Sequence, residues 1–196
     1  MSMDILRLPE ALTIRDRQFA INADWRFCVN IMRMFERQDL TDNEKILCMV
    51  DILYKEEIPE ELTVEAAEQA IWFLNMGESM NGNGGQSGGC GRLFSWEQDL
   101  RFIISAVEHA THKQIRSMEF YHWWEFMSGF YEIGECVFST LVHQRKQKKT
   151  GKQSKTDKEW WAENKDIAEL KIEYTDEEKE ALERFNALLR GGEERG

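Results

Sequence analysis

Residues 120–127 read Phe120-Tyr121-His122-Trp123-Trp124-Glu125-Phe126-Met127. On a helix these residues place large apolar rings nearly all the way round. A helix apolar on most of its faces lies at the centre of a core or in an interface. Outward in both directions, apolar side chains recur at spacings of three and four, the period of helices packed on one side. Toward the C-terminus, Val137, Phe138, Leu141 and Val142 continue after Gly129 and Gly134. Toward the N-terminus, Trp96, Leu100, Ile103, Ile104 and Val107 form a stripe, with Ser95 and Gln98 as a capping box at its start.

Three more helices precede these. Asn22 or Asp24 can cap one carrying Trp25, Cys28, Val29, Met32 and Phe35. Thr41 and Glu44 form a capping box for the next, with Ile46, Leu47, Val50, Leu53 and Tyr54 inward and Ile58-Pro59 as the break. Thr63 starts a third, with Val64, Ala67, Ile71 and Leu74 on one face and Gly77 as the stop. Before them, Leu12 and Ile14, then Phe19 and Ile21, alternate around Arg15-Asp16-Arg17, which predicts a short β-hairpin. A lone hairpin is marginal in water and must pack on something.

The fold class is therefore mainly α, a domain of about six helices with a short N-terminal hairpin. The chain has only 2 prolines against 7 tryptophans and 11 phenylalanines, which suits helices on a substantial core. At 196 residues it needs no disulfide staples. Cys28, Cys48, Cys90 and Cys136 form no CxxC pair and read as reduced thiols. The N-terminus lacks the pattern of a signal peptide, and no window has the apolar length of a membrane span.

Domain organisation follows from composition. Residues 1–145 are the helical domain, interrupted by a glycine-rich linker at 77–91. Residues 146–174 form a basic, tryptophan-containing arm, and residues 175–196 a C-terminal helix, capped by Thr175 and Glu178, and a tail. From Arg145 to Lys158 there is no apolar stripe, so exposure and mobility are expected. The formal net charge is −11, yet residues 143–160 hold seven basic side chains against two acidic ones. An acidic body disfavours a dedicated nucleic-acid binder, whose affinity comes from neutralising phosphates. The basic stretch is where any polyanion contact would concentrate, at Lys146, Lys148, Lys149 and Lys152.

No pattern carries chemistry. The glycine stretch has neither GxGxxG nor GxxxxGK and follows a helix rather than a strand. Glu119 and His122 make one ExxH, whereas a carboxylate-bridged di-iron bundle needs two. His122 reads instead as a partly buried ring with one hydrogen bond. Cys136 and His143 share a helix face but stand two turns apart, too far for a nucleophile and its base. No enzyme, metal or cofactor is expected. Candidate partner-binding residues are any exposed members of Trp123, Trp124 and Phe126, with core packing as the plainer reading, and Trp160 and Trp161, since tryptophan anchors interfaces.

The residues also carry a resemblance. Ile14-Arg-Asp-Arg-Gln-Phe-Ala-Ile-Asn-Ala-Asp-Trp-Arg26 resembles the opening of the bacteriophage "gene product fifteen" family, with Ala23 in place of the usual Thr and Trp25 in place of the usual Phe. Glu44-Lys45, Ile58-Pro59 and Ala70 fit its next section. Tyr121-His122-Trp123-Trp124-Glu125-Phe126 is similar to its His-Trp-Trp-x-Phe signature, and Arg145 with the following lysines to its basic exit. The likeness spans about residues 5–172.

The resemblance implies a protein of phages and prophages of Gram-positive bacteria, encoded just upstream of the tail tape-measure gene. It implies a non-enzymatic role in tail morphogenesis, as a tail assembly chaperone in the bacterial cytoplasm. The implied partners are the tape-measure protein or other tail-module proteins, with a homo-oligomer left open and no membrane. The alternatives are a structural component retained in the virion and a host-interaction factor that binds protein or nucleic acid through the basic arm.

Overall fold

The computed structural model describes residues 7–78 and 91–171. The glycine-rich linker, apart from its ends, and the helix expected after Thr175 lie outside these residues.

Strands β1 (Ala11–Ile14) and β2 (Arg17–Ala20) pair antiparallel, with Leu12 opposite Phe19 and Ile14 opposite Arg17. Alternation sends Leu12, Ile14, Phe19 and Ile21 into the core. The turn between them bends through Arg15 at φ 55°. Its guanidinium binds the Glu65 carboxylate at 2.6 and 3.0 Å, which fastens the hairpin to a helix fifty residues away.

Eight helices follow among the described residues, which makes the chain mainly α with a small hairpin, as expected. α1 (Trp25–Phe35) is capped by Asp24, whose side chain accepts the Arg26 N–H. α2 (Asp42–Leu53) has the full Thr41–Glu44 capping box. A 3₁₀ turn at Glu60–Leu62 leads into α3 (Thr63–Leu74). Then come α4 (Leu100–Thr111), a 3₁₀ turn at Ile115–Ser117, α5 (Trp123–Tyr131), α6 (Val137–Lys149), α7 (Lys155–Glu163) and α8 (Lys165–Ala168). The principal helix contacts run α3, α2, α1, α5, α4, α6, with α7 and α8 packed on α6, and β1 rests on α3.

Several inward faces differ from the expected ones. α1 buries Ile31 and Met34, while Phe35 sits at the edge. α2 turns Leu47 outward, 56% exposed, and α3 does the same with Val64, 70% exposed. Besides the expected Ala67 and Leu74, α3 buries Ala66, Ala70 and Phe73. Period alone leaves the phase of a short helix free by about one residue, and the neighbours decide it.

The start of α4 also differs. Ser95 Oγ accepts the N–H groups of Glu97 and Gln98, so it caps an isolated turn that contains Trp96, and the helix begins only at Leu100. The return bond expected from Gln98 is made by Asp99, which accepts Ser95 N–H at 2.9 Å. The Gln98 amide is engaged instead with the backbone at Glu169 and Lys171.

The basic segment, expected to be exposed and mobile, is largely helical. α6 runs on through Lys149, and α7 opens with a Ser154–Asp157 capping box. Gln144 donates to the Asp157 carboxylate at 2.7 Å and joins the two helices.

Candidate functional site

The aromatic stretch is helical only from Trp123. Tyr121 and His122 approach it extended and pair with the start of α1: Trp25 N–H donates to the Tyr121 carbonyl at 2.9 Å, and Trp123 N–H to that of Ala23 at 2.8 Å. Asp24 closes the joint, accepting Arg26 N–H with one oxygen and Tyr121 N–H with the other. One carboxylate thus orders the N-termini of two helices distant in sequence. Arg26 pairs with the same carboxylate and donates to the Met118 carbonyl at 2.7 Å.

His122 caps α5. Its Nδ1 accepts Trp124 N–H at 3.0 Å, which places the ring proton on Nε2, 3.0 Å from the Pro9 carbonyl. The ring is 1% exposed and makes two hydrogen bonds, not the one expected. Burial pushes its pKa below the ordinary histidine value. A neutral ring with both nitrogens engaged is a structural cap. It is held away from Glu119, which is exposed.

The two tryptophans close the other end of α3. Trp123 Nε1 donates to the Leu74 carbonyl at 3.0 Å, and Trp124 Nε1 to that of Phe73 at 2.8 Å. The last carbonyls of a helix have no partner within it, and here indole N–H groups supply one. Phe126 stacks between Trp25, at 5.1 Å, and Trp123, at 5.5 Å. Trp123, Trp124 and Phe126 are all buried, so the box is core. They present no surface to a partner, because their rings and N–H groups are consumed joining α1, α3 and α5.

A second polar knot went unrecognised in the sequence. Arg145, placed at the start of the basic exit, is 2% exposed and faces Asp99, which is fully buried. The two form a bidentate pair at 2.6 and 2.9 Å. The remaining guanidinium donors reach the carbonyls of Leu93, Ile167 and Ala168. All five N–H donors of the group are used. Only the long spacing between Asp99 and Arg145 separates this pair from any other acid and base in the sequence.

Lys146, Lys148 and Lys149, in the last turn of α6, and Lys152, just beyond it, are exposed. Lys148 Nζ lies 3.9 Å from the Trp161 ring centroid, a cation–π contact, and Lys149 donates to the Arg92 carbonyl. Lys146 and Lys152 have no ion partner among the described residues. Trp160 and Trp161 are half-buried, and of the two it is Trp161 that meets Lys148.

The remaining chemical candidates are dispersed. Cys136 caps α6, its Sγ accepting Ser139 N–H, and His143 is exposed. Cys28 is buried, and its thiol is pushed well above the ordinary value by burial first and then by Asp24. Among the described residues, no group of three His, Cys, Asp or Glu could hold a metal ion, and no helix is long and apolar enough to cross a membrane.

Hollows open on the surface of the described residues, two of them beside α1 and α2. One, of about 450 Å³, is lined by Arg33, Glu36, Arg92, Glu97 and Lys171 among others. Its main charges are already matched, Arg33 with Glu97 and Arg92 with Glu36. The other, of about 340 Å³, is a groove involving α2 and the start of α3 and lined by Leu47, Cys48, Val50, Ile58 and Thr63, with Asp51, Glu56 and Glu57.

No curated protein and no solved structure matches this chain. The family model described as "Bacteriophage Gp15 protein" matches residues 5–170, a span that takes in the hairpin, the aromatic core and the Asp99–Arg145 knot, and the chain belongs to that family.

Proposed function

We propose that this phage protein is a non-enzymatic tail morphogenesis factor, an assembly chaperone that covers apolar helical stretches of the tape-measure protein before the tail tube forms around it. The observation that carries the reading is the family match over residues 5–170, together with the gene position beside the tape measure that the resemblance implies. Two physical features support it. A net charge of −11 favours solubility and limits nonspecific association. Exposed apolar side chains, among them Leu47, Phe120 and Val64, offer contact area outside the core.

Co-expression with the tape-measure protein is the test. The chaperone reading expects co-purification and a gain in the soluble fraction of the tape-measure protein; neither effect would sink it. Mass spectrometry of finished particles separates a chaperone, absent from them, from a retained structural component. The exposed ammonium groups of Lys146 and Lys152 favour the polyanion-binding alternative. It expects nucleic-acid binding that falls steeply with salt and disappears when Lys146, Lys148, Lys149 and Lys152 are neutralised.

A further inference from the structure

The groove between α2 and α3 combines exposed apolar surface with acidic side chains. Its apolar part includes Leu47 and Ile58, and Val64 follows Thr63 of its wall, with Leu47 56% and Val64 70% exposed. Asp51, Glu56 and Glu57 line it, and the stretch of sequence that builds it, residues 42–68, holds nine acidic side chains against two basic ones. Arg17 and Arg15 of the hairpin pair with Glu56 and Glu65. Asp51, Glu57 and Glu60 keep no ion partner among the described residues. An apolar patch with an acidic rim fits an occupant that carries both cations and apolar surface.

This chain carries such a surface itself. The end of α6, the turn after it and the start of α7 expose Lys146, Lys152 and Lys158, and the half-buried Trp160 and Trp161 lie on α7. The two surfaces sit at opposite ends of the packing order: α2 and α3 at one end, α6 and α7 at the other. Among the described residues no principal helix contact joins the two ends, which leaves each open to a second copy.

We propose that the protein associates head to tail, the lysine-bearing junction of α6 and α7 of one copy seated on the α2–α3 groove of the next. Such an interface joins two different patches, so it closes into a ring or continues as an open chain according to the rotation at each step. Its attraction is between exposed charges, so it weakens with salt. The proposal does not depend on the tape-measure reading.

Sedimentation velocity on the full chain alone, over a concentration series, tests it. At about 0.02 M salt the protein is expected to associate, and at about 0.5 M to return toward monomer. Leu47→Asp, the pair Glu57→Lys with Glu60→Lys, and the pair Lys146→Glu with Lys158→Glu should each raise the concentration for half-association by about tenfold or more. All five side chains are exposed, and circular dichroism verifies that each variant is folded. An equimolar mixture of the two charge-reversed variants should associate again, since each then presents the sign the other lacks. The idea is overturned by a wild type that stays monomeric at both salts, by charge variants that associate like wild type, or by no recovery in the mixture. It is also overturned if wild type alone is monomeric while the groove variants lose the tape-measure protein, an outcome that leaves the chaperone reading standing.

Discussion

Replacing Arg145 by methionine keeps most of the side chain's length and removes its charge and all five donors. Asp99 is then left fully buried without its cation, and the carbonyls of Leu93, Ile167 and Ala168 lose a guanidinium donor. Removing one partner of a buried ion pair costs about 3–5 kcal/mol. For a chain of this size that corresponds to a fall in Tm of about 6–20 °C. Urea unfolding followed at 222 nm gives the loss directly, provided the m value is unchanged. Lys146→Met, one residue along and exposed, is the comparator and should change stability by no more than about 0.5 kcal/mol. Adding Asp99→Leu to Arg145→Met should return part of the loss, because no orphan charge then remains. If Arg145→Met costs less than about 1 kcal/mol, the pair behaves like a surface ion pair, and the account of Arg145 as the residue tying α6, α4 and α8 together is wrong.

Gly129→Ala should destabilise by about 1–3 kcal/mol despite alanine's better helix propensity, since the added Cβ would stand 2.5 Å from Thr111 Cγ2. Thr111→Ser, which removes that methyl and keeps the hydroxyl, should relieve part of the loss in the same unfolding assay. Trp123→Phe and Trp124→Phe each delete an indole donor, but Phe73 O also accepts Met76 N–H. Trp123→Phe, which strips Leu74 O, should therefore be the costlier of the two by about 1 kcal/mol, and equal losses would contradict that. The depressed pKa of His122 means the unfolded chain takes up its proton first as pH falls. Stability from this group is full above about 6.5, the ordinary histidine value, and declines below it through the depressed folded value. Denaturation at several pH values from 8 to 5 should show this slope in wild type and a shallower one in His122→Asn, whose amide can still cap α5; identical slopes would remove His122 as its source.

The aromatic stretch shows how far local reading reaches. Its apolar density correctly marks a core helix, yet Tyr121 and His122 are extended and the helix waits until Trp123. Nothing local distinguishes a histidine on the first turn from one that caps it, because the cap depends on pairing with residues 23–25, a hundred positions away. The surface placement of Leu47 and Val64 was equally illegible, since each fits a helical stripe in sequence. Of the two, Leu47 lines the candidate binding groove.

By itself the sequence determined the elements whose causes are local. These are the alternation of Leu12, Ile14, Phe19 and Ile21 that makes the hairpin, the Thr41–Glu44 cap, and the periods of α1 to α6, with Asn22 and Asp24 both open as the cap of α1. Caps and periods act within four residues and survive any rearrangement of distant parts. Tertiary structure alone decided what those elements do to one another. It made Arg145 a buried partner of Asp99 rather than the first residue of a basic exit, and it folded that exit back as α7 and α8. It also turned the Trp123–Trp124 pair into donors for the end of α3. Each of these depends on groups separated by twenty to a hundred residues, where a charge or a ring has many eligible partners in sequence and only packing selects one.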